Sequence, residues 1–174
     1  SISIIFQKRD QSDTVLMKLK QAEIIFREIN NPNGLAQVHF QRANTYLSGG
    51  KITEAETEFR NAVSLAREIP DHGTLAKSLA GLGECAFKKA DYLKALDFFL
   101  NSDSSAEKYE YSYLQLKNAK YLADVYRELK DPEKESVYLR KYLILRDTLY
   151  SAQKSKITSE ILANFQIERT EAEL

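Results

Sequence analysis

The sequence predicts an all-α fold, a solenoid of antiparallel helical hairpins, on three observations. Apolar residues recur at three- and four-residue spacing along most of the 174 residues, and no stretch alternates as a strand would. Glycine and proline gather between those stripes, as Pro32 with Gly34, Gly49 with Gly50, and Pro70 with Gly73. The pattern also repeats every 40 residues. Ala43, Gly83 and Ala123 keep that interval, as do Ala55 and Ala95, Phe59, Phe99 and Leu139, and Ala62 and Ser102. When small and bulky positions recur together, neighbouring hairpins stack and bury one continuous core.

The elements follow in order. Val15, Leu16, Leu19, Ala22, Ile25, Phe26 and Ile29 form the first stripe. Val15, Leu19 and Ala22 share the phase of Ala55, Phe59 and Ala62, and Phe6 that of Tyr46, so residues 1–30 read as a truncated repeat. SISIIFQKRD lacks an initiator Met and a signal-peptide pattern; it reads as the middle of a helix in an excised or processed chain. Val38, Ala43, Tyr46 and Leu47 mark the next helix, and Ala55, Phe59, Ala62, Val63 and Ala66 its partner, with Thr53 and Glu56 as a capping box. A second hairpin carries Leu75, Leu79, Leu82, Gly83 and Ala86, then Ala95, Phe98 and Phe99. In NSDSSAEKYEYSYLQLK, Ser102 to Ser105 are expected to interrupt the helix. Tyr109, Tyr111 and Tyr113 there either pack a longer connection or anchor an interface. The third hairpin carries Leu116, Ala119, Leu122, Ala123 and Tyr126, then Val137, Leu139, Tyr142, Leu143 and Leu145, with Asp131 as N-cap and Pro132 at the first helical position. Hairpins are expected at about 35–70, 75–108 and 111–148.

Small residues suit places where antiparallel helices approach closely, because a larger side chain would overpack the contact. Phe59, Phe99 and Leu139 are then expected to fill the wider gap behind each second helix. Glu135, in the phase of Ala55 and Ala95, breaks the pattern and suggests a looser last hairpin.

Composition narrows the function classes. Lys plus Arg and Asp plus Glu each number 25, so the chain lacks the basic field of a nucleic-acid binder. A hydrophobic fraction of 43% with 29% charged residues describes a folded domain, and the single Cys85 excludes an internal disulfide framework. No apolar run is long enough to span a membrane.

No motif carries chemistry. Ser-Gly-Gly-Lys at 48–51 lacks the longer loop, preceding strand and following Ser or Thr of a phosphate cradle; its equivalents read KKAD and LKDP, so it is a hairpin hinge. His39 and His72 each lack a nearby metal-ligand partner, and His72 is expected to face solvent. Cys85, among Gly83, Ala86 and Phe87, reads as a buried thiol. No catalytic residue, metal or cofactor follows.

These residues resemble the tetratricopeptide repeat, through Ala43, Tyr46, Ala55, Phe59 and Ala62 in one unit. The next unit gives Leu82, Gly83, Ala95, Phe99 and Ser102, and the last Leu122, Ala123, Tyr126, Leu139 and Tyr142. The resemblance implies a right-handed α–α superhelix over residues 1–150. A period of 40 in place of the common 34 implies lengthened helices or linkers. KYLILRDTLYSAQKSKITSEILANFQIERTEAEL is similar to the end of tetratricopeptide sensor regions in bacterial signalling proteins. There the last repeat runs on into a long helix before a membrane span and an output domain such as a kinase or diguanylate cyclase. Residues 151–174 are therefore expected to form a capping or signalling helix, with Leu149, Ile157, Ile161 and Phe165 as a seam for self-association.

By the same resemblance, the first helices line a concave, non-enzymatic groove for a protein or peptide. Its expected residues are Gln37, Phe40, Asn44 and Leu47, then Lys77, Glu84, Phe87 and Lys88, then Lys117, Lys120, Asp124 and Arg127. Asn44 and Lys117 match part of a carboxylate clamp, but Phe40, Gly81 and Tyr121 depart from it, so the clamp is incomplete. The resemblance implies a sensory or regulatory part of a bacterial signalling protein, cytoplasmic or extracytoplasmic; a stand-alone scaffold whose last helix only caps the stack is the alternative.

Overall fold

A computed structural model of the chain describes the backbone of residues 2–172 and the side chains of residues 12–163. Among the described residues it contains seven helices and no strand: α1 (Ile2–Glu28), α2 (Pro32–Ser48), α3 (Ile52–Glu68), α4 (His72–Lys88), α5 (Tyr92–Lys108), α6 (Ser112–Glu128) and α7 (Pro132–Ala172). Helices α2 to α6 are each 17 residues long, and every joint has three residues. Two such helices and two joints make the 40-residue period, so the extra length over the common repeat lies in the helices. Helix α1 occupies the phase of a second helix, and α7 passes residue 150 without a break.

The joints share one geometry. Asn30, Gly50, Ala90, Glu110 and Lys130, spaced by multiples of 20, have φ between 48° and 76°. In each case the next residue's N–H donates back to the carbonyl five residues earlier, as from Lys51 to Tyr46 at 2.9 Å and from Asp131 to Tyr126 at 2.9 Å. This satisfies carbonyls that the helix end leaves open. Only Gly50 reaches the left-handed region without a Cβ penalty. Residue 70 in this series is proline, whose ring forbids positive φ; Ile69 before it is extended at φ −123° and ψ 153°. The glycines of Ser-Gly-Gly-Lys therefore make a hinge.

Of the helices α2 to α7, all but α3 and α6 start with a side-chain cap. Asn31, Asp71, Asp91 and Asp131 accept from the backbone N–H three residues on, with Asp131 taking that of Lys134 at 3.1 Å. Thr53 is not a cap: α3 begins at Ile52 after Lys51, and the Thr53 carbonyl accepts from Thr57 inside the helix. Gly34 and Gly73 lie inside the first turns of α2 and α4. A Cβ at Gly34 would collide with the Phe26 ring, so this glycine sets the approach of α1 to α2. Ser102 to Ser105 do not interrupt α5, which continues to Lys108. Ser102 instead faces inward, donating to the Ala76 carbonyl at 2.8 Å and accepting from Asn118 at 2.9 Å, which ties α4, α5 and α6 together.

The core runs along the stack. Ala43, Ala55, Phe59, Ala62, Ala95, Phe99 and Ala123 are fully buried, and Tyr126 is buried against Tyr138 at 5.5 Å between ring centroids. Tyr46 is half-buried. Phe59 sits between Phe40 of α2, at 6.0 Å, and Gly81 of α4; Phe99 sits between Gly83 of α4 and Tyr121 of α6, on which it stacks at 4.8 Å. Each phenylalanine thus joins its own hairpin to the next. Leu139 does not fill the equivalent gap and is exposed, because no first helix follows α7 within the described residues. The same absence accounts for Glu135: with no helix pressing on it, it accepts from Arg127 Nε at 2.8 Å.

Charged pairs bind the outer helices. Arg42 of α2 bridges Glu23 of α1 and Glu58 of α3, and His39 Nδ1 lies 2.6 Å from Glu58 Oε2. Lys141 of α7 donates to Asp103 of α5 at 2.7 Å and also pairs with Glu107. Backbones of α2 and α4, and of α4 and α6, come into direct contact, whereas α3, α5 and α7 meet one another only through side chains such as these. The first-helix layer is therefore the inner, tighter side of the bend.

Candidate functional site

The inner layer presents the twelve residues expected to line a groove, in three groups. On α2, Gln37 is exposed, Phe40 is half-buried against Phe59, and Asn44 donates to the Phe40 carbonyl at 3.0 Å, which engages its amide locally. Leu47 is half-buried in the core cluster around Phe59.

On α4 and α6 the residues converge. Glu84 is only 9% exposed, pairs with Lys117, and accepts from the Tyr121 hydroxyl at 2.9 Å. Burial, reinforced by the Glu84 carboxylate, pushes the Tyr121 phenol well above its usual range. Phe87 packs edge-on against Tyr121 at 6.1 Å and Tyr92 at 5.6 Å. Asp124 pairs with Arg127 at 3.0 Å, and Arg127 reaches on to Glu135. Both acidic groups of the face are thus matched by cations of the face. Lys77, Lys88 and Lys120 are exposed and have no hydrogen-bond or ion-pair partner among the described residues. The face therefore offers three free ammonium groups, and Phe40, Leu47 and Phe87 on the same helix layer are half-buried.

Sequence reasoning placed Tyr121 only as a departure from a clamp; its part is to hold Glu84 in the inter-repeat wall. The Tyr109–Tyr111 pair lies elsewhere, at the joint between α5 and α6. Tyr109 stacks on His72 at 4.2 Å, and Tyr111 covers Gly73, so both cover the start of α4, while Tyr113 is exposed. His72 is exposed, as its surroundings implied, with one ring face on Tyr109.

Cys85 is fully buried, and burial, followed by the nearby Glu56 and Glu84 charges, pushes its thiol up to about 11, away from the thiolate a nucleophile needs. Among the described residues, no cluster of three His, Cys, Asp or Glu side chains has the geometry to hold a metal ion, and no helix is long and apolar enough to cross a membrane.

Residues 34–102 match the tetratricopeptide repeat family model. No curated protein matches the chain. Among solved structures, the TPR domain of Arabidopsis FLU superposes with a TM-score of 0.64 at 22% identity, over 67% of this chain and 98% of that one. BtubC (BKLC) from P. vanneervenii superposes with a TM-score of 0.70 at 15% identity, over 81% of this chain, which spans 59% of that protein's length. Tetratricopeptide repeats are protein- and peptide-binding modules, generally without enzymatic activity. Residues 34–102 thus resemble tetratricopeptide repeats, and the described residues form an all-α solenoid of consecutive helix pairs, as in the tetratricopeptide structures on which the chain superposes.

Proposed function

We propose that the inner face of α2, α4 and α6 binds a peptide or partner-protein segment in which acidic residues alternate with apolar ones. The observation that carries this reading is the contrast in pairing. Glu84 and Asp124 are neutralised within the face, while Lys77, Lys88 and Lys120 stand free on it. A ligand that supplies carboxylates gains ion pairs without breaking existing ones, and apolar side chains between them cover the half-buried rings.

We propose further that the chain is the sensory or regulatory part of a bacterial signal-transduction protein, passing occupancy of this face to α7. In support, Arg127 on the inner face is bonded to Glu135 in the first turns of α7, which continues as one helix through Ala172. A ligand seated along α6 would bear on Arg127 and so on that link.

The test is selection of peptides from a displayed random library on the chain, followed by titration of the selected peptides. Binders should be acidic, and Lys77→Glu or Lys120→Glu should each weaken them by about tenfold, equivalent to ~1.4 kcal/mol, with thermal unfolding unchanged. Binding that survives both reversals and is lost on Tyr109→Ala or Tyr111→Ala would move the site to the α5–α6 joint and overturn the reading.

A further inference from the structure

The last helix exposes a surface that the repeats before it cover. Phe59 and Val63 of α3 are buried against α4, the helix that follows. Their counterparts two repeats on, Leu139 and Leu143, are 37% and 45% exposed and line a shallow groove. Helices in this fold alternate in direction, so whatever covers the groove as the next helix would has to run antiparallel to α7.

The exposed stripe continues beyond the hairpin through Tyr150, Ile157 and Ile161, at 69%, 47% and 62% exposure. At about 100° per residue, all five residues fall within an arc of about 40°, and the stripe is about 33 Å long. Its spacing is palindromic. Leu143 and Ile157 stand seven residues either side of Tyr150, and Leu139 and Ile161 stand eleven either side. A two-fold interface needs a surface complementary to itself, and this pattern has that property when read in the antiparallel sense.

We propose that α7 pairs with α7 of a second copy, antiparallel, about a two-fold axis at Tyr150. Leu143 then meets Ile157 of the second copy and Leu139 meets Ile161, so the distal part of one helix covers the open end of the other solenoid. The pairing stands independently of any ligand on the inner face.

Sedimentation equilibrium of the full chain should show a reversible monomer–dimer system. Tyr150→Lys should shift it to monomer with thermal unfolding of the solenoid unchanged. Mixing Leu143→Cys chains with Ile157→Cys chains should give a disulfide-linked dimer that neither gives alone, the native Cys85 being buried. A chain that stays monomeric at every concentration would overturn the proposal. So would Leu143→Cys chains that cross-link with themselves, which marks parallel pairing, association that grows beyond two copies, which marks end-to-end stacking through α1, or a dimer indifferent to Tyr150→Lys.

Discussion

Gly81 and Gly83 show how single residues set the spacing of this stack. Both lie in the middle of α4, where alanine would favour the helix by about 1 kcal/mol. A Cβ at Gly83 would lie 2.8 Å from the Phe99 ring, and one at Gly81 would press deeper still into Phe59. Both rings are fully buried and pinned between two helices, so neither can give way. Overpacking of this kind costs about 1–3 kcal/mol, enough to outweigh the propensity gain. Gly81→Ala should therefore lower the melting temperature by several degrees in a thermal scan followed by circular dichroism. Gly50→Ala is the contrasting case: open space surrounds it, and its penalty comes from φ +76° alone, about 1 kcal/mol. Gly83 was legible in the sequence through its 40-residue echo with Ala43 and Ala123. Gly81 was not, because its counterpart Tyr121 is large: the same gap is closed once by a phenylalanine pushed against bare backbone and once by two stacked rings.

At the scale of elements, periodic residues announced the helices, and non-periodic charges fasten the outer ones. Residues 19 apart in sequence, Glu23 with Arg42 and His39 with Glu58, have no local signature, so the network joining α1, α2 and α3 was invisible before the fold was known. Caps were legible where an acidic residue precedes the helix, as at Asp131, and misread at Thr53, where the joint geometry sets the start two residues earlier. The network has a consequence in acid. Burial opposes ionisation of Glu58, but the His39 hydrogen bond and the Arg42 charge outweigh it. Burial likewise opposes ionisation of Glu23, and Arg42 outweighs it again; both carboxyls are held below the ordinary 4.5. Groups with lowered pKa stabilise the fold above the unfolded value, and that contribution disappears as pH falls through the folded one. Urea unfolding should thus show Arg42→Met clearly less stable than the parent at neutral pH, with the gap closing progressively below pH 4.5. A gap that is constant with pH would mean that Arg42 acts through its packing alone.

The whole molecule is a line of hairpins, and how much of it was legible follows from that. A period read from alanines and phenylalanines is enough to order the helices and to name the inner layer. It says nothing of which inner-layer charges are spent on one another, because Glu84 with Lys117 and Arg127 with Glu135 depend on how adjacent helices sit. Nor does it reveal that Leu139 lies exposed, since it looks like Phe99 until no further helix is found packed on α7 among the described residues. A line of units also has a graded stability, each unit held by its own packing and that of its neighbours. Helix α4 lies at the centre, with 11 of its 17 residues buried and contacts on both sides, whereas neither α1 from residue 12 nor α7 up to residue 163 has a fully buried residue. Opening from the ends should then require far less free energy than opening at α4. Amide hydrogen exchange should be slowest in α4 and the facing turns of α5, intermediate in α2, α3 and α6, and fastest in α7 beyond residue 150. Pairing of α7 with a second copy would add protection to that last segment in proportion to protein concentration and leave α4 unaffected. Uniform protection across all seven helices would instead show that the hairpins unfold as one unit, with the inter-repeat phenylalanines carrying coupling stronger than the solenoid geometry implies.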